Sequence, residues 1–347
     1  MNSKLFYLAA IALLSFSACG KEDEKSLDDN NITMTTAIGV GKVSLGLAGT
    51  GSVTVEWGDG NVNNVALSSE RKISEHTYSS SSSSSAGSGR EITVTMTGAT
   101  VTALHCSKNK LTALDVSKCR NLEFLYCDEN ELTSLELSSF ATLKELDCSA
   151  NKLTNLNTGK HAALMNLHCR GNALTSLDIS GNSALLRLYC QENQLEALNV
   201  SKNLILAELN CSNNKLTALD VTKNATLNSL LCAANKLTVL DATKNALIGT
   251  LDCANNRLPS LNVSKNIALA TLKCGNNLLA ELDLSANKLL QSVSCVNNGL
   301  NVGALEDMFD TLHDIDLSLP KTISMSGNPG SNSCDKHMAE RKGWTVY

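Results

Sequence analysis

Ten cysteines stand 21 residues apart without a slip: Cys106, Cys127, Cys148, Cys169, Cys190, Cys211, Cys232, Cys253, Cys274 and Cys295. Each is followed three residues later by an asparagine: Asn109, Asn130, Asn151, Asn172, Asn193, Asn214, Asn235, Asn256, Asn277 and Asn298. A fixed period of this length means one short unit stacked on copies of itself, because each unit buries its apolar side chains only against its neighbours. The beat therefore sets the fold before any question of chemistry arises.

Aligning the units shows what each position must do. A leucine lies two residues before each of the first nine cysteines, from Leu104 to Leu272, and Val293 holds that place before the tenth. Other apolar columns begin at Val101, Leu111, Leu114 and Val116. In a strand, residues two apart share a face, so leucine and cysteine point inward together and their neighbours point out. A second apolar stretch, Leu216 to Val221 for example, ends in its own asparagine. That column holds Asn182, Asn203, Asn224, Asn245, Asn266 and Asn287, after Cys119, Phe140 and His161 in the first three coils that fill it. Carboxamides at these points can satisfy the amide and carbonyl groups of a turning, buried backbone. The pattern predicts a mainly β solenoid of about ten coils over 101–299, with parallel sheets on two faces and little helix. At roughly 4.8 Å per coil the array is about 43 Å long.

The unit L-x-x-L-x-C-x-x-N-x-L-T-x-L-D-V-S-x-N resembles the leucine-rich repeat, with cysteine in the last aliphatic slot. As structural thiols the cysteines are small hydrophobes on an inward column. Disulfides between successive coils would require side chains turned along the stack. A zinc site would gather four ligands round a point, whereas this column spreads single thiols along a line. Cys119 stands in an asparagine slot, and Cys334 lies alone near the end.

The N-terminus reads as a signal peptide over 1–18: Lys4, then an apolar run from Leu5 to Phe16, too short to cross a bilayer. Phe16-Ser17-Ala18-Cys19 resembles a bacterial lipobox, which implies that Cys19 is lipidated and is the sole membrane attachment. Gly20-Lys21-Glu22-Asp23-Glu24 resembles the export signal of Bacteroidetes-type surface lipoproteins, which implies outer-membrane anchoring with exposure at the cell surface, a periplasm-facing anchor being the alternative. Residues 19–31 form a polar acidic tether. Over 32–100, alternating stretches such as Val53 to Trp57 and Glu91 to Met96 read as strands between glycine-rich turns, and Trp57-Gly58-Asp59-Gly60 resembles the turn of PKD-like, immunoglobulin-type modules. Such a unit can also cap the first coil. A tract of serines from Ser79 to Ser85 reads as a loop.

After Asn298 the beat dissolves. Helical spacing over Gly303 to His313, a strand over Lys321 to Ser326, a turn at Gly327-Asn328-Pro329-Gly330, a helix from Asp335 to Lys342 and a last strand from Trp344 make 300–347 an α/β cap, resembling those of bacterial leucine-rich repeat surface proteins.

A net charge of −5 argues against nucleic acid, which calls for a basic stripe. There is no P-loop, H-E-x-x-H, G-x-S-x-G or metal-type C-x-x-C pair, so neither enzyme activity nor a cofactor or metal is expected. An aspartate column, Asp115, Asp178, Asp220, Asp241 and Asp283, could be a calcium ladder; it also reads as a solvated row offset by lysines three residues on, such as Lys223 and Lys244.

What remains is the outward face of the cysteine-bearing strands. Coils two to five present Phe124, Tyr126 and Asp128, then Glu145 and Asp147, then His168 and Arg170, then Arg187 and Tyr189, while coils seven to ten present mostly serine, threonine, alanine and glycine. Phe124, Tyr126 and Tyr189 would fall within a patch about 15 Å across, and exposed aromatics with arginine are the residue types that dominate interface energies. Ring stacking across strands is the structural alternative. The expected protein is a monomeric, non-enzymatic surface module that binds a protein ligand, the use implied by the resemblance to internalin-type proteins. Polysaccharide capture on the rings, or a spacer role, are the alternatives.

Overall fold

The computed structural model describes residues 31–37, 41–78, 90–137, 141–316 and 319–347. Cys19, the tether up to residue 30 and the serine tract lie outside the described residues.

Six strands precede the repeats: β1 (Asn31–Thr36), β2 (Lys42–Thr50), β3 (Ser52–Glu56), β4 (Val62–Ala66), β5 (Lys72–Thr77) and β6 (Arg90–Thr95). The first coil supplies β7 (Thr100–His105) and β8 (Leu111–Asp115). The six leading strands divide between two sheets. In one the order is β4-β3-β6-β1-β8, so β1 runs antiparallel to the second half of the first coil; in the other β2 lies between β5 and β7. The leading strands and the first coil thus share walls and one continuous core, in which Ile32, Met34, Val43, Trp57 and Val94 join Leu104 and Leu111. Period-two alternation makes these strands: β1 buries Ile32, Met34 and Thr36 and leaves the residues between half-exposed. A bulge between Ala48 and Gly49 shifts the β2–β7 register, and a Cβ at Gly49 would come 1.9 Å from the Thr100 carbonyl oxygen.

The cysteine face continues as nine three-residue parallel strands, β9 (Phe124–Tyr126) to β17 (Ser292–Ser294), in strict 21-residue register. Leu125 pairs with Leu146, Leu146 with Leu167, and so on down the stack. The leucine and cysteine of each coil are buried at 0–1 %, and all the described cysteines are free thiols. Burial pushes the Cys211, Cys253 and Cys295 thiols up to about 12, leaving them protonated and unreactive.

Each asparagine of the first column joins two coils. Asn130 accepts the amides of Asn109 (3.0 Å) and Leu111 (2.9 Å) of the coil before, and donates to the carbonyls of Cys106 and Cys127, both at 3.0 Å. The second column does half of this work. Asn224 donates to the Val200 and Asn203 carbonyls, but its own Oδ1 and those of Asn203, Asn245, Asn266 and Asn287 are buried without a protein partner.

Two expectations need refining. The second face is built less regularly than the first: among the described residues its parallel contacts form the isolated bridges Asp115–Glu136 and Asn157–Asp178, with roughly one further ladder amide per coil, such as Lys152 N–H to the Leu132 carbonyl at 2.8 Å. The cause is spacing. Leu132 and Leu135, like Leu153 and Leu156, lie three apart, so both can turn inward only if the pleat is broken between them. The stack also runs past ten coils. Strand β18 (Lys321–Ser324) continues the sheet with Ile323 opposite Val293, and β19 (Trp344–Val346) adds a further strand. Asn328 is the next rung: its Oδ1 accepts the amides of Asn298 (3.0 Å) and Leu300 (3.2 Å), and its amide donates to the Cys295 and Met325 carbonyls. Helix α1 (Val302–Thr311), capped by the Asn301 side chain, lengthens this coil and hides it from a 21-residue count. Helix α2 is limited to His337–Glu340, shorter than the Asp335–Lys342 expected, and the chain leaves it through Gly343 at φ 78°.

At the opposite end the ladder is closed by β2. Asn109 accepts the Ser44 amide at 3.0 Å and donates to the Ser44 carbonyl at 2.8 Å.

Candidate functional site

Because β7 and β9–β17 are parallel and in register, equivalent outward residues form columns along the sheet. One runs His105, Tyr126, Asp147, His168, Tyr189, Asn210; its neighbour runs Phe124, Glu145, Asn166, Arg187, Glu208. Side chains in such columns meet those 21 residues away, much as cross-strand pairs do in any sheet.

The rings pair with histidines. Tyr126 stacks on His105 with centroids 4.3 Å apart and planes within 11°, and Tyr189 meets His168 edge to face at 4.7 Å. Between the two pairs lies an acidic coil, Glu145 and Asp147, so the expected single aromatic patch is two aromatic pairs flanking a carboxylate step. Phe124, Tyr126, Asp128, Glu145, Asp147, His168 and Tyr189 are all half-buried, whereas Arg170 and Arg187 are exposed.

Polar contacts tie the second column together. Asn166 Nδ2 donates to Glu145 Oε2 at 3.2 Å, Arg187 Nη1 donates to Asn166 Oδ1 at 3.3 Å, and Arg187 Nε donates to Glu208 Oε1 at 3.1 Å. The Tyr189 hydroxyl donates to the other Glu208 oxygen, and the Ser107 hydroxyl donates to Asp128. His168 Nδ1 lies 3.8 Å from Asp147 Oδ2. Burial first, then the neighbouring Glu145 and Glu208 carboxylates, hold the Tyr126 and Tyr189 hydroxyls up at about 12. The Tyr189 hydrogen bond holds the Glu208 carboxyl below its ordinary range. The face is thus a preset hydrogen-bonding surface whose tyrosines stay protonated.

Four contributors escaped the sequence reading, Ser107 on Asp128 being the smallest. His105 and Glu208 lie in coils one and six, and the same alternation rule extended one coil each way finds both. Arg71, just before β5, comes from outside the repeat: its guanidinium Nη1 approaches His105 Nδ1 at 3.5 Å. Glycine at position 46 admits it, since a Cβ there would come within 2.6 Å of Arg71 Cδ. Burial, then the Arg71 charge, depress the His105 pKa and favour the neutral, accepting imidazole.

On coils seven to ten the same positions hold Ser229, Leu231, Thr250, Asp252, Thr271, Lys273, Ser292 and Ser294, and the one ion pair there among the described residues, Lys273 with Asp252, spans 4.0 Å. No group of three or more histidine, cysteine, aspartate or glutamate side chains able to hold a metal occurs among the described residues.

No family profile matches the chain, and neither does any curated protein. Among solved structures, the functional domain of InlJ from Listeria monocytogenes, which includes a cysteine ladder, is similar at 33 % identity and a TM-score of 0.58, over 65 % of this chain and 54 % of that one. This chain therefore spans about half the length of that relative. A leucine-rich repeat protein of Leptospira interrogans is similar at 18 % identity and a TM-score of 0.50, over 70 % of this chain and 83 % of that one. With the register described above, these likenesses make the fold a leucine-rich repeat solenoid of about eleven coils.

Proposed function

We propose that this solenoid is a non-enzymatic recognition module that binds a folded protein through the outward face of coils one to six. The observation that supports the reading is the unequal sheet: the same leucine, once valine, and cysteine inward in every coil, with tyrosine, histidine, arginine and acid gathered on one half of its exposed side. Leucine-rich repeat solenoids are typically protein-interaction modules, and tyrosine and arginine are the usual anchors of such contacts. The arrangement favours a protein over a glycan. Sugar platforms use broad open ring faces, whereas here His105 covers one face of Tyr126 and a carboxylate step, Glu145 and Asp147, separates the two tyrosines. The leader and Cys19 support the further reading that the module is held at the outer surface of a cell by a lipid anchor.

The test is a screen of the purified chain against an array of folded proteins, with a glycan array beside it. Protein hits lost in Tyr126→Ala/Arg187→Ala and kept in Ser229→Ala/Thr250→Ala are expected. Glycan hits alone, or protein hits indifferent to Tyr126 and Arg187, would overturn the assignment.

A further inference from the structure

A second exposed surface lies along one edge of the solenoid, outside the columns that form the proposed ligand face. Just after the second asparagine column the coil turns back toward the sheet, and there Leu204, Ile205, Leu247, Ile267, Leu289 and Leu319 are 45–63 % exposed. Between them stand Ala225, Thr226, Ala246 and Ala268, so the coil that carries Asn224 contributes only small side chains. Leu319 belongs to the strip because the β17–β18 register places it 30 residues from Leu289, as Thr322 is from Ser292. The strip thus crosses the turns that close coils five to ten, a length of about 24 Å. Exposed leucines scattered singly need no explanation, but a row that recurs at the same turn in five of six successive coils does.

A row of lysines borders the strip. Lys202, Lys223, Lys244 and Lys265 each stand next to the buried asparagine of their coil, Lys160 extends the row backward, and Lys288 falls within the strip itself. All six are exposed, and none forms an ion pair among the described residues. The aspartates three residues before them make backbone hydrogen bonds, Asp220 Oδ1 accepting the Thr222 amide and Asp241 Oδ1 the Thr243 amide, both at 2.9 Å, and feel the Lys223 and Lys244 charges without a direct ion pair, which leaves the ammonium groups free to reach outward. From residue 162 to 291, the three positions of each turn that make up the strip and its half-buried margin, such as 204, 205 and 207, hold no aspartate or glutamate.

We propose that this edge rests on an anionic lipid surface. A straight apolar row with mobile ammonium groups along its side is the pattern that lets side chains enter the headgroup boundary while lysines reach lipid phosphates. A second copy of the chain fits less well. At a width of roughly 10 Å the strip offers about 240 Å², against the ~800 Å² per partner of a standard protein interface. The chain's net charge of −5 gives no general attraction to anionic lipid, so binding must come from this edge.

The experiment places a reporter in the strip. Leu247→Trp is made in the full chain carrying Cys19→Ser, so that no acyl chain can attach; the native Trp57 and Trp344 are buried and contribute a constant background. Adding vesicles of phosphatidylglycerol and phosphatidylcholine should shift the emission of the introduced indole to the blue and expose it to quenching by brominated lipid. Lys202→Glu/Lys244→Glu in that background should weaken the response by about tenfold or more at low salt, and a Ser229→Trp reporter on the sheet face should not respond. Emission from Leu247→Trp that is indifferent to vesicles, even where the chain sediments with them, would overturn the proposal. So would a blue shift that depends on protein concentration without lipid, which would give the strip to a second copy.

Discussion

Coils one to five and coils six to ten share one cysteine face inside, leucine, cysteine and first-column asparagine, and differ far more outside. Leucine or valine, cysteine and asparagine repeat without exception across both halves, and their hydrogen bonds repeat to within about 0.1 Å: Leu174 N–H to Asn193 Oδ1 and Leu237 N–H to Asn256 Oδ1 are each 3.0 Å. Outside, the first half carries Lys144–Glu123, Lys152–Glu131 and the tyrosine–histidine pairs, while the second carries mostly hydroxyls and methyls. The cysteine face asks the same of every coil, so the difference on the outward side of that face has another origin, and recognition is the use that fits it.

The backbone holds a subtler difference. Every coil puts the residue before its first-column asparagine in the left-handed region, at φ 51° to 64°. In the first half that residue is Lys108, Glu129, Ala150, Gly171 or Glu192; in the second it is asparagine four times out of five, Asn213, Asn255, Asn276 and Asn297. Asparagine tolerates this conformation and longer side chains do so at a cost of roughly 1 kcal/mol. The half with the richer surface is therefore the more strained one.

The largest effect should fall equally on both halves. Asn193→Ala and Asn256→Ala each strip partners from buried carbonyls and a buried amide, Cys169, Cys190 and Leu174 in the first case and Cys232, Cys253 and Leu237 in the second. Each should cost roughly 3–5 kcal/mol in urea unfolding, at about 1–3 kcal/mol per orphaned group before relaxation. Unequal losses would break the claim of a uniform interior. A smaller and opposite pair sharpens the strain argument: Glu192→Asn should stabilise by about 0.5–1 kcal/mol and Asn255→Glu destabilise by a similar amount, read from melting curves. The smallest effect concerns pH. Tyr126 and Tyr189 titrate near 12 when folded, above the ordinary 10, so their contribution is complete below pH 10 and lost as pH rises toward 12. Glu208, held low by Tyr189, contributes above its ordinary 4.5, and that contribution is lost as pH falls through its lower folded value. Melts across both windows should show Tyr189→Phe flattening each limb; unchanged limbs would place the tyrosine's influence elsewhere.

Much of this was legible in the chain. The cysteine column fixed the inward face, and subtraction from it identified Tyr126, Arg187 and Tyr189 as outward. Three things were not legible, each for a physical reason. Antiparallel partners carry no period, so nothing in residues 32–95 said that β1 would pair with β8 while β2 paired with β7. Gly46 opens the way for Arg71 only once those strands are side by side. The eleventh coil hid behind α1, because a ladder senses which atoms meet and a residue count senses only distance along the chain.

Each carboxamide of the asparagine ladder bonds to its own coil and the one before it, and the rung's backbone amide reaches no farther than the coil after. A unit excised between equivalent points would let the survivors rejoin the same partners, so a gene of this kind can shorten or lengthen by unequal exchange and still encode a folded rod. The interior would record no such event. The outward columns would, because removing one unit between Tyr126 and Tyr189 would bring their side chains a coil closer together and change what the surface can grip.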